Sequence, residues 1–129
     1  MSVRIVRLGS PRSPGEGPRL GTVRRPPRGV PKSQFASGNW YDVWFPNLAP
    51  SSDLVAAALS AEDDKAWKAF ERKYRAEMKQ PDRARELDLL AALSHTADFS
   101  VGCYCEDASR CHRSILGALF AERGAELKD

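Results

Sequence analysis

Residues 99–116, with the sequence FSVGCYCEDASRCHRSIL, contain the pattern that decides the fold. The apolar run at 99–103 is typical of a buried strand, and the apolar residues that begin at Ile115 recur with helical spacing. This helix is predicted from about Cys111 to about Arg123, because Gly124 is a natural helix stop. A strand, a tight turn and a helix therefore follow one another. In open α/β sheets, ligands bind in such a place, beyond the carboxyl ends of the strands.

Strands alternate with helices along the rest of the chain. Alternating apolar and basic residues predict a strand at 3–8, and a brief second strand is predicted at 20–23. Helical spacing predicts helices at 54–59, 61–79 and 83–93. The helix at 61–79 has an apolar face that is predicted to pack in the core, formed by Ala66, Trp67, Phe70, Tyr74 and Met78. The predicted fold class is α/β, with a small, partly parallel sheet flanked by helices in a single domain of residues 1–129.

A basic segment rich in proline and glycine occupies about residues 9–33. These two residue types interrupt regular structure, so a long loop is predicted here. Residues 1–33 contain eight basic residues and one acidic residue, a net charge of +7, whereas the whole chain has a net charge of +3. The segment therefore either meets an anionic partner or pairs with the more acidic remainder of the same chain.

The chain has no apolar run near the roughly 20 residues that span a bilayer. Its first residues lack the apolar core and the cleavage site of a signal peptide. We therefore predict a cytoplasmic protein without a membrane partner, and the sequence leaves the oligomeric state open. Cytoplasmic cysteines are reduced by default, so thiol chemistry or metal binding is favoured over a structural disulfide.

The first functional hypothesis is a thiol-dependent enzyme with an anion-binding site. Cys111 would lie at the helix start, where the helix dipole and nearby cations stabilise a thiolate nucleophile. His112 is the adjacent histidine, and an imidazole that titrates near neutrality suits acid–base catalysis. The amides of the helix N-terminus, together with Arg28, Arg110 and Arg113, would hold an anionic small molecule such as a phosphate or a carboxylate.

The second hypothesis is a metal site formed by Cys103, Cys105 and Cys111, with His112 or an acid as a candidate further ligand. Thiolates, with a histidine nearby, suit zinc or iron. Side chains two residues apart in a strand share one face, so Cys103 and Cys105 are expected to point the same way. The adjacent residues Cys111 and His112 are not expected to face one metal together.

The same thiols also suggest a redox switch. If the site is free of metal, Cys111 is expected to form a bridge with Cys103 or Cys105 under oxidant. This requires the strand end and the helix start to bring the Cα atoms within roughly 4.4–6.8 Å of each other. In the cytoplasm all three thiols are expected to be reduced until an oxidant arrives.

A nucleic-acid-binding module is the third alternative. The basic residues 1–33 would contact phosphates, and the aromatic segment at 40–45, WYDVWF, would stack on bases. The modest net charge and the lack of a recognisable binding motif count against this hypothesis. The aromatic segment alternatively forms a strand, or anchors the loop on the core.

The cysteine segment resembles the signature of a known family. Its Cys-Tyr-Cys-Glu-Asp at 103–107, followed by Cys-His-Arg at 111–113, is similar to the Cys-x-Glu-x-Asp and Cys-His-Arg pattern of the family called domain of unknown function 488. Further similarities point to the short, YeaO-like branch of that family. They are Pro-Arg-Gly at 27–29, Ala-Pro-Ser at 49–51 and the helix residues Trp67, Phe70 and Tyr74.

The resemblance covers most of the chain and implies a small cytoplasmic α/β domain, but it brings no established reaction. Cys105 stands where the family often has Glu. Arg24-Arg25-Pro26 stands where the YeaO-like branch has an acid and an indole. Any role of those family residues is therefore not carried over to this chain.

Overall fold

One sheet of five strands organises the part of the chain that the computed structural model describes, residues 1–105 and 111–128. The strands are β1 (Val3–Arg7), β2 (Arg19–Gly21), β3 (Val43–Trp44), β4 (Phe99–Cys103) and β5 (Leu127–Lys128). Their order across the sheet is β3-β2-β4-β1-β5, and each neighbouring pair is parallel. The predicted α/β class is confirmed, and the described sheet is parallel throughout rather than in part.

Four α-helices accompany the sheet in the same described part of the chain. They are α1 (Ser52–Ser60), α2 (Asp64–Met78), α3 (Pro81–Leu93) and α4 (His112–Glu122), with short 3-10 helices at Lys32–Gln34 and Pro46–Leu48. Helix α2 begins later than predicted, because the Asp63 carboxylate accepts a hydrogen bond from the Ala66 amide (2.8 Å) and caps the first turn. Helix α3 begins at Pro81 rather than near residue 83, because proline suits the first turn of a helix.

The main hydrophobic core lies between the sheet and the helices. Phe70, Tyr74 and Met78 of α2 are buried, which confirms most of the predicted packing face. Trp67 is partly buried and stacks on Phe70, with ring centroids 4.8 Å apart. Ala66 was also predicted to face inward, but it lies in the first turn of α2 and is exposed. The helix therefore contributes an aromatic stripe to the core, as its spacing indicated.

Strand β4 occupies the centre of the sheet, between β1 and β2. All five of its residues are buried, which explains the continuous apolar run in its sequence. The register pairs Arg7 with Cys103 and Gly21 with Gly102. Because parallel strands end at the same edge, the residues that follow β1, β2 and β4 converge at one place.

The basic loop is organised around Arg19, a residue that is 0% exposed. Its guanidinium donates to both carboxylate oxygens of Glu16, at 2.6 and 3.3 Å. It also donates to the carbonyl oxygens of Ser10 (2.8 Å), Asn39 (2.6 Å) and Pro11 (3.2 Å). The buried positive charge is thus paired within the chain, and it ties the beginning of the loop to the segment that precedes β3.

No helix within residues 1–105 and 111–128 combines the length and the apolar character needed to cross a membrane. The cytoplasmic location stays a prediction.

Candidate metal and thiol site

Three side chains with ligand atoms meet at the carboxyl edge of the sheet. Cys103 is the last residue of β4, Cys111 is the N-cap of α4, and His112 is the first residue of that helix. The Sγ atoms of Cys103 and Cys111 lie at bonding distance, and Cys111 Sγ is 3.8 Å from His112 Nδ1. The three ligand atoms all lie within 4.8 Å of one another. This cluster, called the Cys2His site below, could hold a metal ion.

The neighbours Cys111 and His112 both contribute to the Cys2His site, so the expectation that they would not is wrong. Adjacent side chains diverge in a continuous strand or helix. Here the backbone changes between the two residues, because Cys111 is extended (φ −129°, ψ 147°) and helical geometry begins at His112. The N-cap position therefore lets two successive side chains approach one point.

A hydrogen bond orients the imidazole of His112. Its Nε2 lies 2.6 Å from the carbonyl oxygen of Thr22, the residue after β2. Since a carbonyl oxygen only accepts, Nε2 carries the hydrogen and Nδ1 presents its lone pair near Cys111 Sγ. Thr22 is held in turn, because its amide (3.0 Å) and its hydroxyl (2.9 Å) both donate to the Gly102 carbonyl oxygen. A backbone carbonyl on the distal ring nitrogen is the usual support of a metal-binding histidine.

The electrostatic environment of His112 favours its neutral form. Burial lowers the pKa of the imidazole to about 4, although the hydrogen bond to Thr22 acts in the opposite direction. The nearby charge of Arg113 lowers the pKa further. A neutral imidazole at physiological pH is the form that binds metals.

An apolar shell surrounds both sulphur atoms. Cys103 is 1% exposed and Cys111 is 2% exposed. They belong to a small buried cluster, separate from the main core, whose other buried members are Leu8, Val23 and Tyr41. Three partly buried aromatic residues pack against this cluster, namely Phe35, Trp40 and Tyr104. The sulphur atoms are therefore shielded from large molecules in solution.

One protein-family model matches nearly the whole chain. A family model described as the active DUF488-N3 subclade matches residues 3–124. The chain belongs to the DUF488 family. No curated protein and no solved structure matches it. The family resemblance is confirmed, whereas membership of the YeaO-like branch stays a prediction.

In this DUF488 protein the third cysteine lies apart from the other two. Cys105 is exposed and contributes no ligand atom to the cluster found among the described residues. Strand β4 ends at Cys103, so the alternation that would place Cys105 on the same face does not continue. The structure brings Cys103 and Cys111 together, and it places His112, rather than Cys105, beside them.

The arginines predicted to bind an anion occupy different environments. Arg113 is buried in the first turn of α4, next to His112. Arg28 is exposed on the loop that follows β2, and Arg25 of that loop accepts a hydrogen bond on its carbonyl oxygen from the Tyr104 hydroxyl (2.9 Å). Arg110 lies outside the described residues. An anion site formed by these arginines stays a prediction.

The Cα atoms of Cys103 and Cys111 are 7.7 Å apart. This distance is wider than the roughly 4.4–6.8 Å expected for a disulfide, because the strand end and the helix start diverge at the carboxyl edge. Cys111 lies beside Cys103, whereas Cys105 is exposed; which of the two forms a bridge with Cys111 under oxidant stays a prediction.

Two contributors to the site were not recognised from the sequence. The carbonyl of Thr22 holds His112, although a backbone group has no signature of its own. Its position directly after a strand is the one signal that could have indicated it. Tyr41 belongs to the aromatic segment at 40–45, and nothing in that pattern indicates that its hydroxyl is buried without a hydrogen-bond partner among the described residues.

The aromatic segment at 40–45 makes contacts with the rest of the protein, although Val43 and Trp44 remain exposed. Trp40 meets Tyr104 edge to face, with ring centroids 5.9 Å apart, and Trp44 Nε1 donates to the Val23 carbonyl oxygen (2.8 Å). Phe45 packs against the main core. These contacts match the predicted anchoring role, with Val43–Trp44 forming β3. Binding of nucleic acid by this segment stays a prediction.

Proposed function

We propose that Cys103, Cys111 and His112 bind a metal ion, with zinc as the expected ion and iron as the alternative. One observation carries the proposal: the ligand atoms of these three residues lie within 4.8 Å of one another at the carboxyl edge of a parallel sheet. Two thiolates and one imidazole are a ligand set that zinc prefers. The hydrogen bond from His112 to Thr22 supplies the outer support that such ligands normally have.

One distance in the Cys2His site matches a tetrahedral ion, whereas the two sulphur atoms, which lie at bonding distance, would have to separate to hold it. Zinc lies about 2.3 Å from sulphur and about 2.0 Å from nitrogen, which places its ligand atoms about 3.5–3.8 Å apart. The observed separation of Cys111 Sγ and His112 Nδ1 is 3.8 Å. The Cα separation of 7.7 Å between Cys103 and Cys111 leaves room for their sulphur atoms to reach the same spacing.

The described residues supply three ligands, which leaves one position of a tetrahedral ion for water or a small substrate, because the apolar shell around the sulphur atoms excludes large molecules. Zinc centres with three protein ligands and an open position are catalytic, because the ion lowers the pKa of its bound water to about 7. We therefore propose that this DUF488 domain is a metal-dependent enzyme that activates water. Glu106 and Asp107 lie outside the described residues and are the carboxylates that would close the fourth position instead.

Metal analysis of protein purified without chelators tests the proposal. The wild-type chain is expected to contain about one equivalent of zinc or iron, and Cys103→Ser, Cys111→Ser and His112→Ala are each expected to lose most of it. Cys105→Ser is the matched control and should keep the wild-type content, because Cys105 lies outside the cluster. Glu106→Gln and Asp107→Asn should also keep the metal if the fourth position is open.

Circular dichroism of each variant separates loss of the ligand from loss of the fold. A folded wild-type chain without metal contradicts the proposal. So does a Cys105→Ser variant that loses as much metal as Cys111→Ser.

A second candidate, a thiol-dependent enzyme, is favoured by the position of Cys111 at the N-cap of α4. The helix amides and the positive charge of Arg113 stabilise a thiolate there. In this alternative His112 assists as acid or base, and Arg28, Arg110 and Arg113 hold an anionic substrate. The burial of Cys111 counts against it, since a substrate must reach a sulphur atom that is 2% exposed.

Alkylation with iodoacetamide at pH 7 followed by peptide mapping tests the second candidate. An activated Cys111 in the reduced, metal-free chain should react faster than the same cysteine in the urea-unfolded chain. A slower reaction in the folded chain, with Cys105 reacting at an ordinary rate, contradicts the nucleophile hypothesis.

A further inference from the structure

We infer that the proposed metal centre is sensitive to peroxide, which joins Cys103 to Cys111 and thereby releases the metal. The inference rests on the proposed function, because the same two thiolates serve as ligands. It adds a form of regulation to the site: the chain would hold its metal under reducing conditions and lose it under oxidative stress.

The geometry of the Cys2His site makes the two states exclusive. Two of its three ligand atoms are the sulphur atoms of Cys103 and Cys111, which lie next to each other across the edge of the sheet. A bond between them removes both thiolate charges and leaves His112 as the remaining ligand of the described cluster. One neutral imidazole holds a divalent ion far more weakly than two thiolates and an imidazole do.

The backbone needs little movement to permit the bond. The two sulphur atoms already lie at bonding distance, and a backbone shift of about 1 Å would bring their Cα separation of 7.7 Å into the roughly 4.4–6.8 Å range of disulfides. Cys103 lies at the end of β4 and Cys111 lies at the N-cap of α4, so both belong to the ends of their elements. Element ends adjust more easily than element interiors, because fewer backbone hydrogen bonds hold them.

Hydrogen peroxide supplies the oxidising equivalents. The thiolate of Cys111 attacks one peroxide oxygen, the O–O bond breaks, and a sulfenic acid forms while hydroxide leaves. The thiolate of Cys103 then attacks the Cys111 sulphur, the S–S bond forms, and a second hydroxide leaves. Two electrons pass from the sulphur atoms to the peroxide oxygens, and two protons from the solvent convert the hydroxides to water.

Burial selects a small oxidant. Cys103 is 1% exposed and Cys111 is 2% exposed, and the apolar shell of Leu8, Val23 and Tyr41 surrounds them. Hydrogen peroxide is about the size of two water molecules, whereas oxidised glutathione carries two tripeptides. Cys105 is exposed and provides an internal reference in the same chain, because both oxidants can reach it.

The experiment uses the full chain loaded with zinc and a chromogenic chelator that reports free zinc. Stoichiometric hydrogen peroxide is expected to release about one equivalent of zinc while peptide mapping finds a Cys103–Cys111 bridge. Dithiothreitol with added zinc should restore the metal. The Cys105→Ser variant should respond like the wild-type chain. Oxidised glutathione should modify Cys105 and leave the zinc bound.

The outcomes separate this inference from the function on which it rests. A reduced chain that binds no zinc overturns both. A chain that binds zinc and keeps it under peroxide overturns the switch and leaves the metal centre standing. Zinc release with over-oxidised cysteines and no Cys103–Cys111 bridge overturns the switch as well, and so does a bridge that forms without zinc release.

Discussion

Replacement of Arg19 by alanine is expected to lower the free energy of unfolding by about 3–5 kcal/mol. Arg19 is 0% exposed, and its partner Glu16 is 3% exposed. Removal of the guanidinium therefore leaves a buried carboxylate without its cation. It also removes the guanidinium donor from the carbonyl oxygens of Ser10 and Asn39, of which Asn39 keeps its bond from the Gly9 amide. Urea unfolding followed by circular dichroism measures the loss.

Arg12 provides the matched control for this prediction. Its guanidinium forms an ion pair with Asp42 at 2.9 Å, but both side chains are partly exposed. Ion pairs in contact with solvent contribute about 0–1 kcal/mol, so Arg12→Ala is expected to change stability little. Equal losses for the two variants would mean that the burial of Arg19 does not determine its contribution.

The ion pair of Arg19 with Glu16 also predicts that the free energy of unfolding depends on pH. Burial alone would raise the pKa of Glu16, but hydrogen bonds from Arg19, Ser100 and the Ser13 amide outweigh it, and the pKa is lowered. Such a carboxyl stabilises the fold above its unfolded-state pKa of about 4.3, and this contribution is lost as the pH falls through the folded-state pKa. Glu16→Gln should therefore lose less stability than the wild-type chain below about pH 4. If the free energies of unfolding of the two chains fall equally steeply below pH 4, this explanation is contradicted.

Tyr74→Ala is expected to cost about 3–5 kcal/mol, because it leaves a cavity in the main core. The ring of Tyr74 is fully buried and stacks on Phe70, with centroids 6.0 Å apart. The same ring meets His112 edge to face at 5.6 Å. The variant is therefore also expected to bind metal more weakly, since the His112 imidazole loses the aromatic ring that packs against it. Urea unfolding and metal titration measure the two effects.

The Tyr74→Phe variant distinguishes the contribution of the ring from that of the hydroxyl. The Tyr74 hydroxyl donates to the Leu48 carbonyl oxygen at 2.6 Å, and a buried acceptor without its donor costs about 1–3 kcal/mol. The ring beside His112 remains in this variant, so metal binding should stay at the wild-type level. A loss of metal equal to that of Tyr74→Ala would show that the ring contact with His112 plays no part.

Local patterns predicted the elements of the fold well. The apolar run at 99–103 is β4, and the stripe of Phe70, Tyr74 and Met78 is the buried face of α2. Both signals are properties of the local chain, since burial of one face or of a whole strand requires a matching period. The element boundaries were less accurate, because the side chain of Asp63 and the ring of Pro81 determine where α2 and α3 begin.

The site was predicted only in part, because it depends on groups distant in sequence. The cluster at 103–112 is visible as a group of thiols and one histidine. The orientation of His112 depends on the carbonyl of Thr22, ninety residues earlier. The order of the basic loop depends on Arg19, which the local sequence does not distinguish from the other basic residues of that segment. Local sequence patterns indicate neither whether a charged side chain is buried nor which residues pair across a sheet.

The strand order has a consequence for how the chain reaches its folded state. Strands β1 and β2 are close in sequence, yet β4 lies between them, and Val3 pairs with Phe99. A nascent chain that has emerged only as far as α3 therefore has an N-terminal strand without either of its neighbours. High contact order of this kind slows folding, because the closure of a long loop precedes the gain from pairing. The centre of the sheet is completed only after β4 has left the ribosome, and fragments that end before residue 99 should expose an unpaired β1 to aggregation.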